Sequence, residues 1–228
     1  MKTKFYLCGG AVRDKVLGKN PKDLDFVVLA DSFDEMREAI LNRGGKIFVE
    51  KPEYQVIRGF LPDVGASDFA LPRKDGDYSD GRRPDTTEVA DSLFEDSCRR
   101  DFTINAMFQD LDSEDIIDFH NGIEDLEKQK INCVGNAEDR FEEDSLRMLR
   151  ALRFSITKGF KISGAIKDCF ITDKYIDLLE NVSAERVREE MLKCFKFDTN
   201  KTFDILEYFP LLRRKVFEKV WLKPSMEK

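Results

Sequence analysis

Two neighbouring fragments near the N-terminus carry residue types suited to phosphate and metal chemistry. One apolar run ends in Gly9 and Gly10, and the next begins with Asp23 and Asp25. Glycines after a strand let the backbone turn tightly and approach a phosphate, whose oxygens then accept from free N–H groups. Aspartates two residues apart on a strand point to the same side, with Cα atoms about 6–7 Å apart, and can share Mg²⁺. The fragments therefore predict a triphosphate cradle beside a divalent-metal site.

Two further positions extend this predicted site. Arg13 follows the glycines by about one helical turn, and its guanidinium fork suits phosphate oxygens. Phosphoryl transfer with two cations needs another carboxylate from a separate strand, because the pair of ions has to be bridged and neutralised. Asp68 is the best candidate, since it lies in a stretch that alternates polar and apolar residues, while Glu50 and Asp63 compete with it on spacing alone.

The elements that would hold these residues are a mixture of strands and helices. Apolar periodicity predicts strands near 4–8, 23–30, 46–50, 54–60, 65–70 and 115–119, and helices near 11–18, 32–43, 100–109 and 122–129. Asp31 or Ser32 can cap the second helix. The polar, glycine-containing stretch 73–91 is typical of a long loop.

A charged pair stands at the start of the helix predicted for 100–109. Arg100 and Asp101 precede an apolar side that includes Phe102 and Ile104, so the pair would be held at a fixed helix end. Asn105 follows one turn later. An ordinary solvated helix start would not explain these polar residues together.

From about residue 136 the pattern becomes helical. A first helix carries an apolar stripe and stops at Gly159, and further helices are predicted near 164–180, 183–196, 201–208 and 210–220.

The first of these helices also carries a row of charged side chains. Asp144, Arg147, Arg150 and Arg153 are spaced by three residues, which places them on neighbouring turns of one face. A carboxylate can accept from the exocyclic amine of cytosine or adenine, and a guanidinium can donate to the adjacent ring acceptor. The row therefore suits the edge of a nucleobase, or else forms a salt-bridge ladder within the helix.

Composition narrows the class of protein. The 228 residues carry a net charge of −7, divided into −10 for 1–126 and +3 for 127–228, so the basic half is the better partner for a polyanion. No apolar run reaches the length of a membrane span, and the five scattered cysteines suit reduced thiols, so we expect a cytoplasmic protein without a membrane partner. His120, the one histidine, is interpreted as a loop or packing residue.

Four motifs in a fixed order resemble those of the class II tRNA nucleotidyltransferase and bacterial poly(A) polymerase family. They are Gly-Gly-Ala-Val-Arg-Asp (9–14) with Asp-Leu-Asp (23–25), Arg-Arg-Asp-Phe-Thr-Ile-Asn-Ala-Met (99–107), Glu-Asp-Ser-Leu-Arg-Met-Leu-Arg-Ala-Leu-Arg-Phe (143–154) and Ser-Ala-Glu-Arg-Val-Arg-Glu-Glu (183–190). The chain departs from the family's pattern at Ser145, where many members have proline, and at Ser97-Cys98 before Arg99, where leucine is frequent.

The resemblance implies an α+β fold in two domains. Residues 1–126 would form a polymerase-β-like nucleotidyltransferase head, a mixed sheet with flanking helices. Residues 127–228 would form an all-α neck with the base-reading helix and a short C-terminal helical segment. The usual C-terminal body and tail domains of the family are expected to be lacking.

The resemblance also implies a role for each candidate site residue. Asp23, Asp25 and Asp68 would be the catalytic carboxylates and would bind two Mg²⁺ ions. The residues expected to bind nucleotide are Gly9, Gly10, Arg13, Arg100, Asp101, Asn105, Asp144, Arg147, Arg150 and Arg153.

The activity expected from the resemblance is template-independent addition of CCA to the 3′ end of tRNA from CTP and ATP. Because the stretch 73–91 has the length of the loop in CCA-adding members, addition of CC alone is disfavoured. The alternatives are a poly(A) polymerase or A-adding enzyme, a catalytically silent RNA-binding regulator and, more weakly, nucleotidyl transfer to a small molecule. The oligomeric state is left open.

Overall fold

The computed structural model describes residues 3–78 and 85–220. The chain folds into two compact units, Met1–Gly76 with Thr86–Lys128, called here the head unit, and Asp77–Asp85 with Gln129–Lys228, called the helical unit. The head unit contains a mixed sheet with flanking helices, so the predicted α+β class is confirmed. Among the described residues, no helix is both long enough and apolar enough to cross a membrane.

The head unit is built on one seven-stranded sheet and a separate two-stranded one. Its strands are β1 (Lys4–Cys8), β2 (Asp25–Leu29), β3 (Lys46–Lys51), β4 (Val56–Leu61), β5 (Gly65–Ala70), β6 (Arg73–Asp75), β7 (Thr87–Val89), β8 (Met107–Asp110) and β9 (Ile116–Asp118). The large sheet has the order β3-β4-β5-β2-β1-β8-β9. Its neighbouring strands are antiparallel except for β2 and β5, which are parallel.

Aromatic packing fixes the two strands at the centre of this sheet. The rings of Phe26 on β2 and Phe69 on β5 stack with centroids 5.3 Å apart, and Phe5 on β1 meets Phe69 edge-on at 6.0 Å. All three rings are buried. Burial of such rings stabilises a core by about 2 kcal/mol or more each, so a slip in register that exposed them would be costly.

Four helices flank the sheets of the head unit. They are α1 (Gly10–Val16), α2 (Phe33–Asn42), α3 (Leu93–Cys98) and α4 (Gly122–Glu127). The predicted cap of α2 is confirmed at Ser32, whose Oγ accepts from the N–H of Glu35 at 3.1 Å. Helix α3 is not among the predicted elements, although Ser92 caps it through the N–H of Glu95 in the same way.

The helix predicted for 100–109 is wrong. The structure has a short 3₁₀ turn at Thr103–Asn105 and then β8, which pairs with β1 through Cys8 and Phe108. Arg100 and Asp101 therefore lie in the connection after α3 and not at a helix start. The apolar run is compatible with a helix by its periodicity, which does not contain the pairing of β8 with β1.

The loop predicted for 73–91 is only partly a loop. Its two ends pair as β6 and β7, with Arg73 opposite Val89 and Asp75 opposite Thr87. Residues 79–84, in the middle of that predicted loop, lie outside the described residues.

The helical unit consists of seven helices and one small parallel pair of strands among its described residues. They are β10 (Lys130–Ile131), α5 (Ala137–Glu143), α6 (Leu146–Lys158), β11 (Lys161–Ile162), α7 (Gly164–Phe170), α8 (Asp173–Asp177), α9 (Ala184–Phe197), α10 (Thr199–Tyr208) and α11 (Pro210–Lys219). Helix α6 ends at the predicted stop, Gly159, which has φ of 77°. The single helix predicted for 164–180 is instead α7, α8 and a 3₁₀ turn.

Candidate active site

A glycine turn joins β1 to α1 in the head unit. Gly9 has φ of 66° and ψ of −130°, a conformation that side chains with a Cβ rarely adopt. Its N–H donates to the carbonyl of Met107 at 3.2 Å. A Cβ at this position would lie 3.3 Å from Nη1 of Arg100. The turn therefore needs glycine, and it brings the backbone close to a guanidinium.

Three of the predicted nucleotide-binding residues meet in one buried network. Arg13 donates from Nη1 to Oδ1 of Asn105 at 2.6 Å and from Nε to Asp14 at 2.9 Å. Asn105 donates in turn to Oδ1 of Asp101 at 3.1 Å. Arg13, Asn105 and Asp101 are each less than a tenth exposed. In this structure the network holds these three side chains in a single arrangement.

Arg100 is held by a carboxylate that is not among the predicted site residues. Asp96 is fully buried, and its Oδ2 accepts from Nε and Nη2 of Arg100 at 3.0 and 2.7 Å. Its Oδ1 accepts from Arg99 and from the backbone N–H of Arg73, both at 3.0 Å. Burial alone would raise the pKa of Asp96, but the charges of Arg100 and Arg99 and the N–H of Arg73 lower it. Asp96 therefore stays charged and orients Arg100.

Two of the predicted catalytic carboxylates lie on neighbouring strands at the centre of the sheet, and the third lies just before one of these strands. The parallel register of β2 and β5 places Asp25 directly beside Asp68. Asp23 lies in the bend before β2, which begins only at Asp25, so the prediction that both aspartates share one strand is wrong. Desolvation, followed by the negative charges of Asp68 and Asp23, nevertheless raises the pKa of Asp25. The three carboxylates are thus close enough to repel one another.

The residue types at this point suit a hard divalent cation. All three candidates supply carboxylate oxygens, the ligands that Mg²⁺ prefers, and a cation would relieve the repulsion around Asp25. In the described ranges, however, no three acidic, histidine or cysteine side chains are already gathered in a ligand arrangement. Asp68 is bonded to Arg58, whose Nη1 lies 3.1 Å from Oδ1. The donor set fits Mg²⁺, but its third member has another partner in this structure.

The predicted base-reading row is distributed differently in the helical unit. Asp144 follows α5 with an extended backbone and precedes α6, so it does not share a helix face with the arginines. Its Oδ2 lies 3.4 Å from Nη2 of Arg186 on α9. Arg147 is buried and donates to Glu143 at 2.7 Å. The ladder considered as the alternative is therefore replaced by ion pairs with Glu143 and Arg186.

The other two arginines of the row lie farther along α6. Arg153 donates from Nε to Glu190 on α9 at 2.6 Å, and Glu190 also accepts from Lys193 at 2.9 Å. Burial would raise the pKa of Glu190, but its bonds to Lys193 and Arg153 lower it. Arg150 and Arg153 both lie over the ring of Phe154, at 5.7 and 4.4 Å from its centroid. Arg153 thus joins α6 to α9.

Comparison with models of known protein families shows which family this chain belongs to. A model of the poly(A) polymerase head domain matches residues 5–132, more than half of the chain. The chain belongs to this family. Its matched part includes the glycine turn, the three carboxylates and the Asp96–Arg100 pair described above.

Relatives that resemble this chain include CCA-adding enzymes. That of Bacillus pumilus (strain SAFR-032) is 38% identical over 191 residues, which are 84% of this chain and 46% of that enzyme. The structure of the Bacillus stearothermophilus CCA-adding enzyme in complex with CTP has a TM-score of 0.77 and 29% identity, covering 92% of this chain and 49% of that one.

A third comparison extends over nearly the whole chain. The Thermotoga maritima CCA-adding enzyme complexed with tRNA-CCA has a TM-score of 0.74 and 27% identity, covering 98% of this chain and 50% of that one. The chain therefore spans about half the length of the relatives that it matches.

Several residues that shape the site are not among those predicted from the sequence. Asp96 precedes Arg99 and Arg100 by three and four residues, a helical ion-pair spacing that could have indicated it. Arg58 has no such signal, because its partner comes from another strand. Ser97, one departure from the family's pattern, bonds to Nε2 of His120 at 2.7 Å.

Proposed function

We propose that this protein adds CCA to the 3′ end of tRNA from CTP and ATP. The observation that carries this proposal is the register of β2 and β5, which sets Asp25 beside Asp68 with Asp23 close enough to raise the pKa of Asp25. A carboxylate cluster next to a glycine turn and an oriented arginine suits transfer of a nucleotidyl group. The relatives that match the chain, among them one complexed with CTP and one with tRNA-CCA, support this substrate class.

In the proposed reaction the 3′-hydroxyl of the RNA releases its proton to solvent, its oxygen bonds to the α-phosphorus of the nucleotide, and the bond from that phosphorus to pyrophosphate breaks. Asp23, Asp25 and Asp68 would hold two Mg²⁺ ions, which lower the pKa of the hydroxyl and offset the charge that develops on pyrophosphate. Gly9 and Gly10 would let the triphosphate approach the backbone.

Arg100 has a defined part in this proposal. Asp96 accepts from its Nε and Nη2, and Nη1 is the nitrogen that faces the Gly9 turn. A guanidinium fixed in this way loses little entropy when it binds a phosphate oxygen. Arg13 and Asn105 would support the same substrate from the buried side, and Asp101 would contact the ribose.

Selection of the base would fall to the helical unit. Asp144 could accept from the exocyclic amine of cytosine or adenine, and Arg147 could donate to the neighbouring ring acceptor. Both bases present an amine where uracil and guanine present a carbonyl, so this pair would reject U and G. For this role Asp144 has to release Arg186, and Arg147 has to release Glu143, so that each can bind the base.

A second candidate is poly(A) polymerase activity, because the family model that matches the head unit is that of the poly(A) polymerase head domain.

One assay separates the candidates. The protein and Mg²⁺ are incubated with tRNA transcripts ending before CCA, after C, after CC and after CCA, each with a single nucleotide or with all four, and the 3′ ends are sequenced. Addition that stops at CCA supports the proposal, whereas long A tails on any RNA support poly(A) synthesis. No product with any RNA would favour a silent RNA-binding regulator.

The catalytic assignment predicts the effect of removing single carboxylates. Asp25→Asn or Asp68→Asn should lower the rate of nucleotide addition by more than about 100-fold, because loss of groups that merely support metal ligands already costs 10–100-fold. Asp63→Asn is the matched control: Asp63 is exposed, competes with Asp68 on sequence spacing and pairs only distantly with Arg43, at 3.9 Å. Circular dichroism checks that each variant is folded. Normal addition by Asp25→Asn, or an equal loss in Asp63→Asn, would overturn the assignment.

A further inference from the structure

An arginine from the neighbouring strand forms an ion pair with the third carboxylate of the proposed cation site. The antiparallel register of β4 and β5 places Arg58 directly opposite Asp68, within six paired positions that run from Val56 with Ala70 to Leu61 with Gly65. On its other side, β5 places Asp68 beside Asp25. Asp68 therefore lies between a carboxylate and a guanidinium, and strand pairing fixes both neighbours.

The geometry of this pair is that of a weak and reversible contact. Nη1 of Arg58 reaches both oxygens of Asp68, at 3.1 and 3.2 Å, so one nitrogen is shared and the two-nitrogen fork that makes arginine pairs strong is not used. The side chains of Arg58 and Asp68 are 60% and 42% exposed. Ion pairs of this kind contribute about 0–1 kcal/mol, which a divalent cation can readily offset.

Arg58 and Arg100 both lie near the proposed cation site. Arg58 lies opposite Asp68, whose other neighbour in register is Asp25. Arg100 is already committed to Asp96. Arg58 is thus the guanidinium of this group whose partner is a proposed metal ligand, and its position allows it to neutralise the carboxylates when no cation is present.

We propose that Arg58 is a positioning residue that holds Asp68 in the cation-free protein and must release it when the divalent cation binds. This inference rests on the proposed function, because it takes Asp23, Asp25 and Asp68 as the cation site. Arg58 is then an internal competitor of the metal: its removal strengthens cation binding in the absence of nucleotide and RNA.

The test measures binding of Mn²⁺, as a spectroscopic substitute for Mg²⁺, to the whole chain without nucleotide or RNA. Electron paramagnetic resonance reports the free ion. Arg58→Gln should lower the dissociation constant about two- to fivefold, the factor equivalent to an exposed ion pair. Arg58→Lys keeps the positive charge and should remain close to the wild-type value. The Mg²⁺ concentration that gives half the maximal rate of nucleotide addition should likewise be lower for Arg58→Gln than for the wild-type chain.

Arg37→Gln is the matched control. It removes the same charge from another partly exposed pair of the head unit, in which Nε of Arg37 lies 2.8 Å from Glu50, and it should leave Mn²⁺ binding unchanged. Equal or weaker binding by Arg58→Gln would overturn the inference, since Arg58 would then be preparing Asp68 for the metal. Asp68→Asn distinguishes this failure from that of the proposed function. If this change leaves Mn²⁺ binding unchanged both in the wild-type chain and in the Arg58→Gln variant, the cation site itself is wrong.

Discussion

At the scale of single residues, Asp96 is the buried carboxylate on which the position of Arg100 depends. It is fully buried and neutralises Arg99 and Arg100 while it accepts from the N–H of Arg73. Asp96→Asn would remove the charge and turn one acceptor into a donor facing donors. We expect the free energy of unfolding to fall by about 3–5 kcal/mol, as when one partner of a buried ion pair is removed.

Chemical denaturation measures this effect, and a second readout tests the positioning of Arg100. Asp96→Asn should also slow nucleotide addition under conditions in which the variant is still folded, because Arg100 loses its fixed orientation. Glu124→Gln is the control: Glu124 on α4 forms an exposed pair with Lys128, which follows that helix, so the change should cost no more than about 1 kcal/mol. Similar losses of stability in the two variants would contradict the role given to Asp96.

At the scale of elements, the start of α6 depends on Ser145. Its Oγ donates to the carbonyl of Leu178 at 2.9 Å, and the residue is fully buried. Ser145→Ala should lower the free energy of unfolding by about 1–3 kcal/mol, because it leaves that carbonyl without this partner.

Ser145→Pro should be less damaging than Ser145→Ala, even though it removes the same hydroxyl. The φ of Ser145 is −65°, the value that proline fixes, and Asp144 before it is extended, as a residue preceding proline prefers. Because proline restricts the unfolded chain, about 0.4–1 kcal/mol of the lost free energy of unfolding should be recovered. Thermal unfolding of the three proteins should therefore rank them Ser, Pro, Ala, and a proline variant less stable than the alanine variant would contradict this account.

The same scale shows what can be predicted from the sequence. Strands with a clear apolar pattern, such as β1 and β5, are predicted at their observed bounds, and the stop of α6 at Gly159 is predicted because glycine readily adopts a positive φ there. The helix predicted for 100–109 fails because β8 is specified by its pairing with β1, which local periodicity does not contain. The same distinction holds in part for the site residues. Residues within one motif are found, whereas Arg58 acts through a partner on another strand. Asp96 lies outside the four motifs of the family, although its spacing to Arg99 and Arg100 is a local signal.

At the scale of the whole molecule, the two halves differ in charge and therefore in what they can bind. Residues 1–126 carry a net charge of −10, which disfavours RNA phosphates, whereas 127–228 carry +3. Many cations of the helical unit are already paired, such as Lys174 with Glu142 and Lys193 with Glu190. Exposed cations that have no ion pair among the described residues are the better candidates for binding RNA, and Arg188 and Lys196 on α9 are two of them.

We predict that Arg188→Gln with Lys196→Gln weakens binding of tRNA transcripts that lack CCA. Each cation that binds a phosphate contributes about 0.7–0.9 to the slope of the logarithm of affinity against the logarithm of salt concentration, so the double variant should reduce the magnitude of that slope by about 1.4–1.8. Fluorescence anisotropy over a range of salt concentrations measures that slope. Lys46→Gln with Lys51→Gln in the head unit removes the same formal charge from exposed positions of β3 and should change the slope little. If both pairs reduce the affinity and the slope equally, the effect comes from overall charge and not from RNA bound to the helical unit.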